Sequence, residues 1–238
     1  MIFLRSLLYQ VVLILSSLFF SIIILGVSIR PALARCDRVA KYWGLTNLWA
    51  LRTLCGLSYR IRGLEHLPDE PIVLLSKHQS AWETIAFRAI LPEQQSWVLK
   101  QELTRIPFFG WALMRCGPIA IDRSAGRREI TRLVQEGTEQ LGSGRNVVIF
   151  PEGTRVAPGA RHSYGVGGAL LAARSGRRVV PIAHNAGVFW GRRSFVKRPG
   201  VIDVIVGPVI ETQGRKATEI NAMTEDWIEG AVAELPSA

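Results

Sequence analysis

Cysteine is scarce. The three present, Cys36, Cys55 and Cys116, are scattered and odd in number. They offer neither a disulfide framework nor a C-x-x-C metal pattern, and a reducing compartment is the simplest reading. No Gly-x-Ser-x-Gly elbow occurs, which argues against the usual serine hydrolase. Internal repeats, low-complexity tracts and recognised nucleic-acid motifs are lacking too. Acidic residues are short: 19 Asp and Glu face 29 Lys and Arg, for a net charge of +10. That balance points to an anionic partner, whether nucleic acid, an anionic membrane face or a phosphorylated substrate.

Apolar residues, by contrast, make up 48% of the chain. Residues 6–29 contain no charge at all. Such a run exceeds the roughly 20 residues that cross a hydrocarbon core, and helix is the state that satisfies its backbone in lipid. Ala32-Leu33-Ala34 resembles a signal-peptide cleavage site, but the apolar region is longer than a signal sequence needs. Arg30, Arg35, Arg38 and Lys41 follow, and this basic flank places the rest of the chain on the cytoplasmic side. A second apolar stretch, 42–59, carries Trp43, Leu45, Leu48 and Trp49. It reads as an interfacial helix, the second arm of a membrane hairpin, or an ordinary core helix. The expected organisation is an N-terminal membrane anchor, 1–57, and an α/β domain, 58–238.

Within that domain short β-branched runs bounded by turn residues predict strands at 58–62, 71–76, 96–100, 118–121, 146–150, 179–182 and 201–206. Helices are expected at 81–90, 107–114, 125–141, 167–174 and 218–233. Strands interleaved with helices give an α/β class with a central mixed sheet flanked by helices.

Ligands of open α/β sheets bind beyond the carboxyl ends of the strands. Four clusters fall there. His78 follows the second strand, with Glu83 on the first turn of the next helix. An imidazole is a ready general base, and a carboxylate on its other ring nitrogen fixes its tautomer. Lys100 closes the third strand. Gly117-Pro118-Ile119-Ala120-Ile121-Asp122-Arg123 spans the fourth, and Phe150-Pro151-Glu152-Gly153-Thr154-Arg155 follows the fifth. The planar forks of Arg123 and Arg155 suit phosphate oxygens. Each cluster alone is explained as a turn with a surface charge; four after four strands are not.

In this order, with Val179-Val180-Pro181-Ile182, the motifs resemble those of the glycerolipid acyltransferase family, in particular its bacterial 1-acyl-sn-glycerol-3-phosphate acyltransferase branch. The resemblance covers 64–210. It implies transfer of a fatty acyl group from acyl-CoA or acyl carrier protein to the sn-2 hydroxyl of lysophosphatidic acid, giving phosphatidic acid for phospholipid biosynthesis. No metal or cofactor is implied. His78 matches the catalytic histidine and Glu83 the acid that orients it, where the family usually has Asp. Arg155, Arg123 and Lys100 match residues of the acceptor-phosphate site, with Glu152, Gly153 and Thr154 in the same substrate loop. Pro181 matches a position linked to donor binding or packing. Where a lysine is expected after Tyr164 the chain has Gly165. Membrane phospholipids are the implied surroundings, nucleic acid is not a partner, and the implied location is a bacterial inner membrane with the catalytic domain on its cytoplasmic side. Another lysolipid as acceptor, or a lipid hydrolase, is the alternative.

Overall fold

The computed structural model describes residues 1–28, 33–122 and 126–237. Two helices lead, α1 (Ile2–Val27) and α2 (Leu33–Ala50), the second running into a π-helical turn, Leu51–Cys55. Seven strands follow: β1 (Leu57–Arg62), β2 (Val73–Ser76), β3 (Gln95–Lys100), β4 (Ile119–Ile121), β5 (Asn146–Ile149), β6 (Val179–His184) and β7 (Gly200–Val206). Between and after them lie α3 (Trp82–Ile90), α4 (Phe109–Arg115), α5 (Arg127–Gly142), α6 (Gly167–Ser175), the short α7 (Ala186–Phe189) and α8 (Ala217–Ala233).

The strands form one mixed sheet in the order β1-β7-β6-β2-β5-β3-β4. From β6 to β4 neighbours are parallel, and β7 turns antiparallel to β6. A parallel sheet covered on both faces wants strands that are apolar throughout, and all of β2 is buried. Its alternate side chains serve two cores. Leu74, with Val148, Val180 and Ile202, packs against α3, α2 and Tyr9 of α1. Val73 and Leu75, with Val147 and Ile149, pack against α5, α6 and Ile220 of α8.

The expected second apolar stretch, 42–59, differs from what forms: α2 begins at Leu33, and the strand β1 begins at Leu57. The cause is long-range. Asp37 is buried and takes a two-pronged pair from Arg145, at 2.6 and 3.1 Å. Arg145 also donates to the carbonyls of Gln95 and Cys116. Helix α2 is therefore held to the sheet. Helix α1 turns a stripe with several serines inward: Ser6 accepts from the Lys197 amide, Ser16 from the Asn47 amide group, and Ser17 from the Trp43 indole. The opposite face stays apolar and open, with Ile14, Leu15 and Phe19 each near 60% exposed. Helix α1 is long and apolar enough to cross a membrane.

Candidate active site

Five parallel strands end along one edge of the sheet, and the candidate residues gather there. β2 is flanked by β6 and β5, so the turn after it stands between the loops that follow both neighbours. His78 leaves β2 in this turn. Its Nδ1 lies 2.9 Å from Glu83 Oε1, and its ring stacks on Phe150 with centroids 4.1 Å apart. The same Glu83 oxygen accepts the Gln79 and Ser80 amides, each at 2.7 Å. This carboxylate therefore folds the turn onto the start of α3 as well as holding the imidazole. Burial pushes the Glu83 carboxyl up. Its interactions with His184, with His78 and with the Ser80 amide outweigh that, and it sits below the usual range. It is thus ionised, and His78 Nε2 is left as the nitrogen for a reacting proton.

A cavity of about 450 Å³ opens at His78, within the range of small-molecule sites. Phe20 and Ile24 of α1, Trp43 of α2, Trp97 of β3 and Leu113 of α4 give it apolar walls. Lys100, Thr154, Arg155, Arg192 and Arg193 also line it. The Nε of Arg155 is buried and finds no hydrogen-bond partner among the described residues. An unpaired buried donor is costly, and it belongs to a guanidinium whose residue borders the cavity. The chamber thus offers a base, several cations and an apolar wall: the chemistry of an amphiphile with an anionic head.

The expected residues divide. His78, Lys100, Thr154 and Arg155 share the cavity. Gly153 adopts φ +65°, the left-handed conformation its tight turn requires, and its amide donates to the Phe150 carbonyl at 2.9 Å. That engagement leaves the Gly153 amide no free proton to offer a ligand. Glu152 does not line the cavity. Its carboxylate turns inward, accepting the His78 amide at 2.7 Å and pairing with Lys77 at 2.7 Å. Arg123 lies outside the described residues. Pro181 is buried in β6, opposite Leu75 of β2.

Several residues escaped the motif reading. Arg192 and Arg193 stand in a basic stretch that reads equally as a solvated turn; only the fold brings them to the cavity, where Arg192 donates to the Arg155 carbonyl at 3.2 Å. His184 is fully buried at the end of β6, donating to the Lys77 carbonyl at 2.8 Å and lying 4.0 Å from Glu83. Its position after a strand was the available signal. Lys77, buried beside the His78 turn, gave none.

Residues 58–185 match the family model described as Acyltransferase. A 1-acyl-sn-glycerol-3-phosphate acyltransferase of Pseudomonas aeruginosa is 43% identical over 210 residues, 87% of this chain and 81% of that protein. The chloroplastic 1-acyl-sn-glycerol-3-phosphate acyltransferase LPAT1 of Arabidopsis thaliana is 32% identical, over 60% of this chain and 39% of its own. The crystal structure of the 1-acyl-sn-glycerophosphate acyltransferase PlsC from Thermotoga maritima superposes with a TM-score of 0.80 at 18% identity, covering 99% of this chain and 97% of that one. The last likeness concerns the fold. The chain belongs to the acyltransferase family.

Proposed function

We propose that this acyltransferase moves a fatty acyl chain from an acyl thioester to the sn-2 hydroxyl of 1-acyl-sn-glycerol-3-phosphate, giving phosphatidic acid. The names of its relatives support that acceptor and product. One observation carries the reading: the His78–Glu83 pair opens into an apolar cavity that Lys100, Arg155, Arg192 and Arg193 also line.

The chemistry follows from those groups. The cations that line the cavity, Lys100, Arg155, Arg192 and Arg193, hold the acceptor phosphate. Held there, the glycerol hydroxyl is oriented rather than merely encountered. Nε2 of His78 removes its proton as the oxygen attacks the thioester carbonyl, while Glu83 stabilises the imidazolium. The C–S bond breaks, the thiolate takes the proton back from His78, and ester and thiol depart. The donor is a thioester of coenzyme A or of acyl carrier protein. A fatty chain lies along Phe20, Ile24, Trp43 and Leu113.

The outward face of α1 supports association with a membrane, where acceptor and product reside. Because α1 also supplies cavity wall, the same helix that meets lipid borders the reaction chamber. The basic surplus favours an anionic leaflet, as on the cytoplasmic side of a bacterial inner membrane, at about 1 kcal/mol per near-surface cation.

Purified enzyme presented with a panel of lysolipids and with both thioesters tests the reading. Phosphatidic acid formed from lysophosphatidic acid, strictly dependent on thioester, is expected. Preference for another lysolipid, or fatty acid released without thioester, contradicts it.

A further inference from the structure

The transfer step described above uses His78 and Glu83 but leaves a buried charge cluster directly behind them unexplained. Lys77 is 1% exposed. Successive residues of a strand point to opposite faces, so the neighbours Lys77 and His78 part at the end of β2. His78 goes to the cavity, and Lys77 continues the face of Val73 and Leu75, toward α8. There its ammonium lies 2.7 Å from Glu152 Oε1 and 2.7 Å from Glu229 Oε1. Glu229 stands on α8, beyond the segment that matches the family model. The same Glu229 oxygen accepts the Tyr164 hydroxyl at 2.8 Å. Tyr164 belongs to the loop where the family pattern was interrupted, and Asn221 of α8 donates to its carbonyl.

Two hydrogen bonds and, between them, the Lys77–Glu152 ion pair form one line from the C-terminal helix to the reacting histidine. Glu229 holds Lys77, Lys77 holds one oxygen of Glu152, and the other oxygen of Glu152 accepts the His78 amide. Burial pushes the Glu152 carboxyl up, and the ammonium opposes that. An ammonium has three donors on a flexible stem. Its placement between two carboxylates is therefore set by both, and a shift at Glu229 moves Lys77 relative to Glu152.

We propose that Glu229 is a positioning residue for acyl transfer: through Lys77 and Glu152 it sets where the His78 backbone, and with it the base, stands against the acceptor hydroxyl. This rests on His78 being the base. Glu229 does not line the cavity, so it acts on turnover and not on binding.

Two conservative variants test it, both assayed well below their thermal midpoints with circular dichroism confirming the fold. Glu229→Gln keeps an oxygen at the same reach for Lys77 and Tyr164. Glu229→Asp keeps the charge but withdraws that oxygen by one methylene. Positioning predicts kcat lowered about tenfold in Glu229→Asp, with KM for both substrates unchanged, and kcat within about threefold of wild type in Glu229→Gln. Wild-type kcat in Glu229→Asp, or a change confined to KM, overturns the proposal. So does the reverse ranking, with Asp active and Gln impaired, since charge and not position would then govern. Wild-type enzyme run alongside separates the two readings: if it forms no phosphatidic acid the proposed reaction itself fails, whereas an active wild type with unaffected variants removes Glu229 alone.

Discussion

Glu83 does two jobs at one oxygen, which accepts the Gln79 and Ser80 amides and faces His78 Nδ1. Glu83→Gln keeps the shape, but its neutral amide cannot stabilise the imidazolium. It is expected to lower kcat roughly 10²–10⁴-fold, as loss of an orienting acid does elsewhere, with KM little changed; steady-state assays of phosphatidic acid formation check this. His184 carries a pH effect. Burial lowers its pKa, with Glu83 opposing, and the aromatic rings of Trp82 and Phe87 border it. The folded state therefore binds its proton less readily than the unfolded chain, whose histidine titrates near ~6.5. Where the unfolded chain binds more protons, stability rises with pH. Stability should thus fall as pH drops below about 6.5, by at most about 1.4 kcal/mol per pH unit from this group. Thermal midpoints across that range should slope less in His184→Gln than in the wild type.

Helix α2 illustrates what a linear reading reaches and where it stops. Strands such as β2 and β5 were legible as short apolar runs closed by turn residues, as strands of a parallel sheet covered on both faces tend to be; β1, with Ser58, Arg60 and Arg62, alternates instead. The start of α2 was not legible, since Arg35, Arg38 and Lys41 read as a basic flank after a membrane segment. What makes 33–41 helical is a partner more than a hundred residues away, Arg145, and no local periodicity announces it. The site divides likewise. His78, Lys100 and Arg155 were visible as charges after strands, whereas Lys77, Glu229 and Arg192 matter through what the fold sets beside them. Asp37→Ala tests the helix. It leaves Arg145 buried with its main counter-charge gone, so about 3–5 kcal/mol of stability should be lost. Thermal unfolding in detergent would show it, and an unchanged midpoint would mean that α2 is held by apolar packing alone.

Across the whole molecule, charge and apolar surface work together. The net charge is +10, and the open face of α1 presents Leu7, Ile14, Leu15 and Phe19. Binding to vesicles should then be stronger on anionic than on zwitterionic lipid. The difference should shrink as salt rises, because screening shortens to about 3 Å at 1 M. Co-sedimentation across a salt series checks this, and a salt-independent preference would leave the basic surplus without a part in binding.

The proposed reaction turns on one proton transfer at one nitrogen, His78 Nε2. His78→Ala, reconstituted in vesicles with lysophosphatidic acid and a fatty acyl thioester, isolates it. The account predicts phosphatidic acid formation reduced at least about 10²-fold, with the fold and vesicle binding intact. Turnover near that of the wild type would contradict the account.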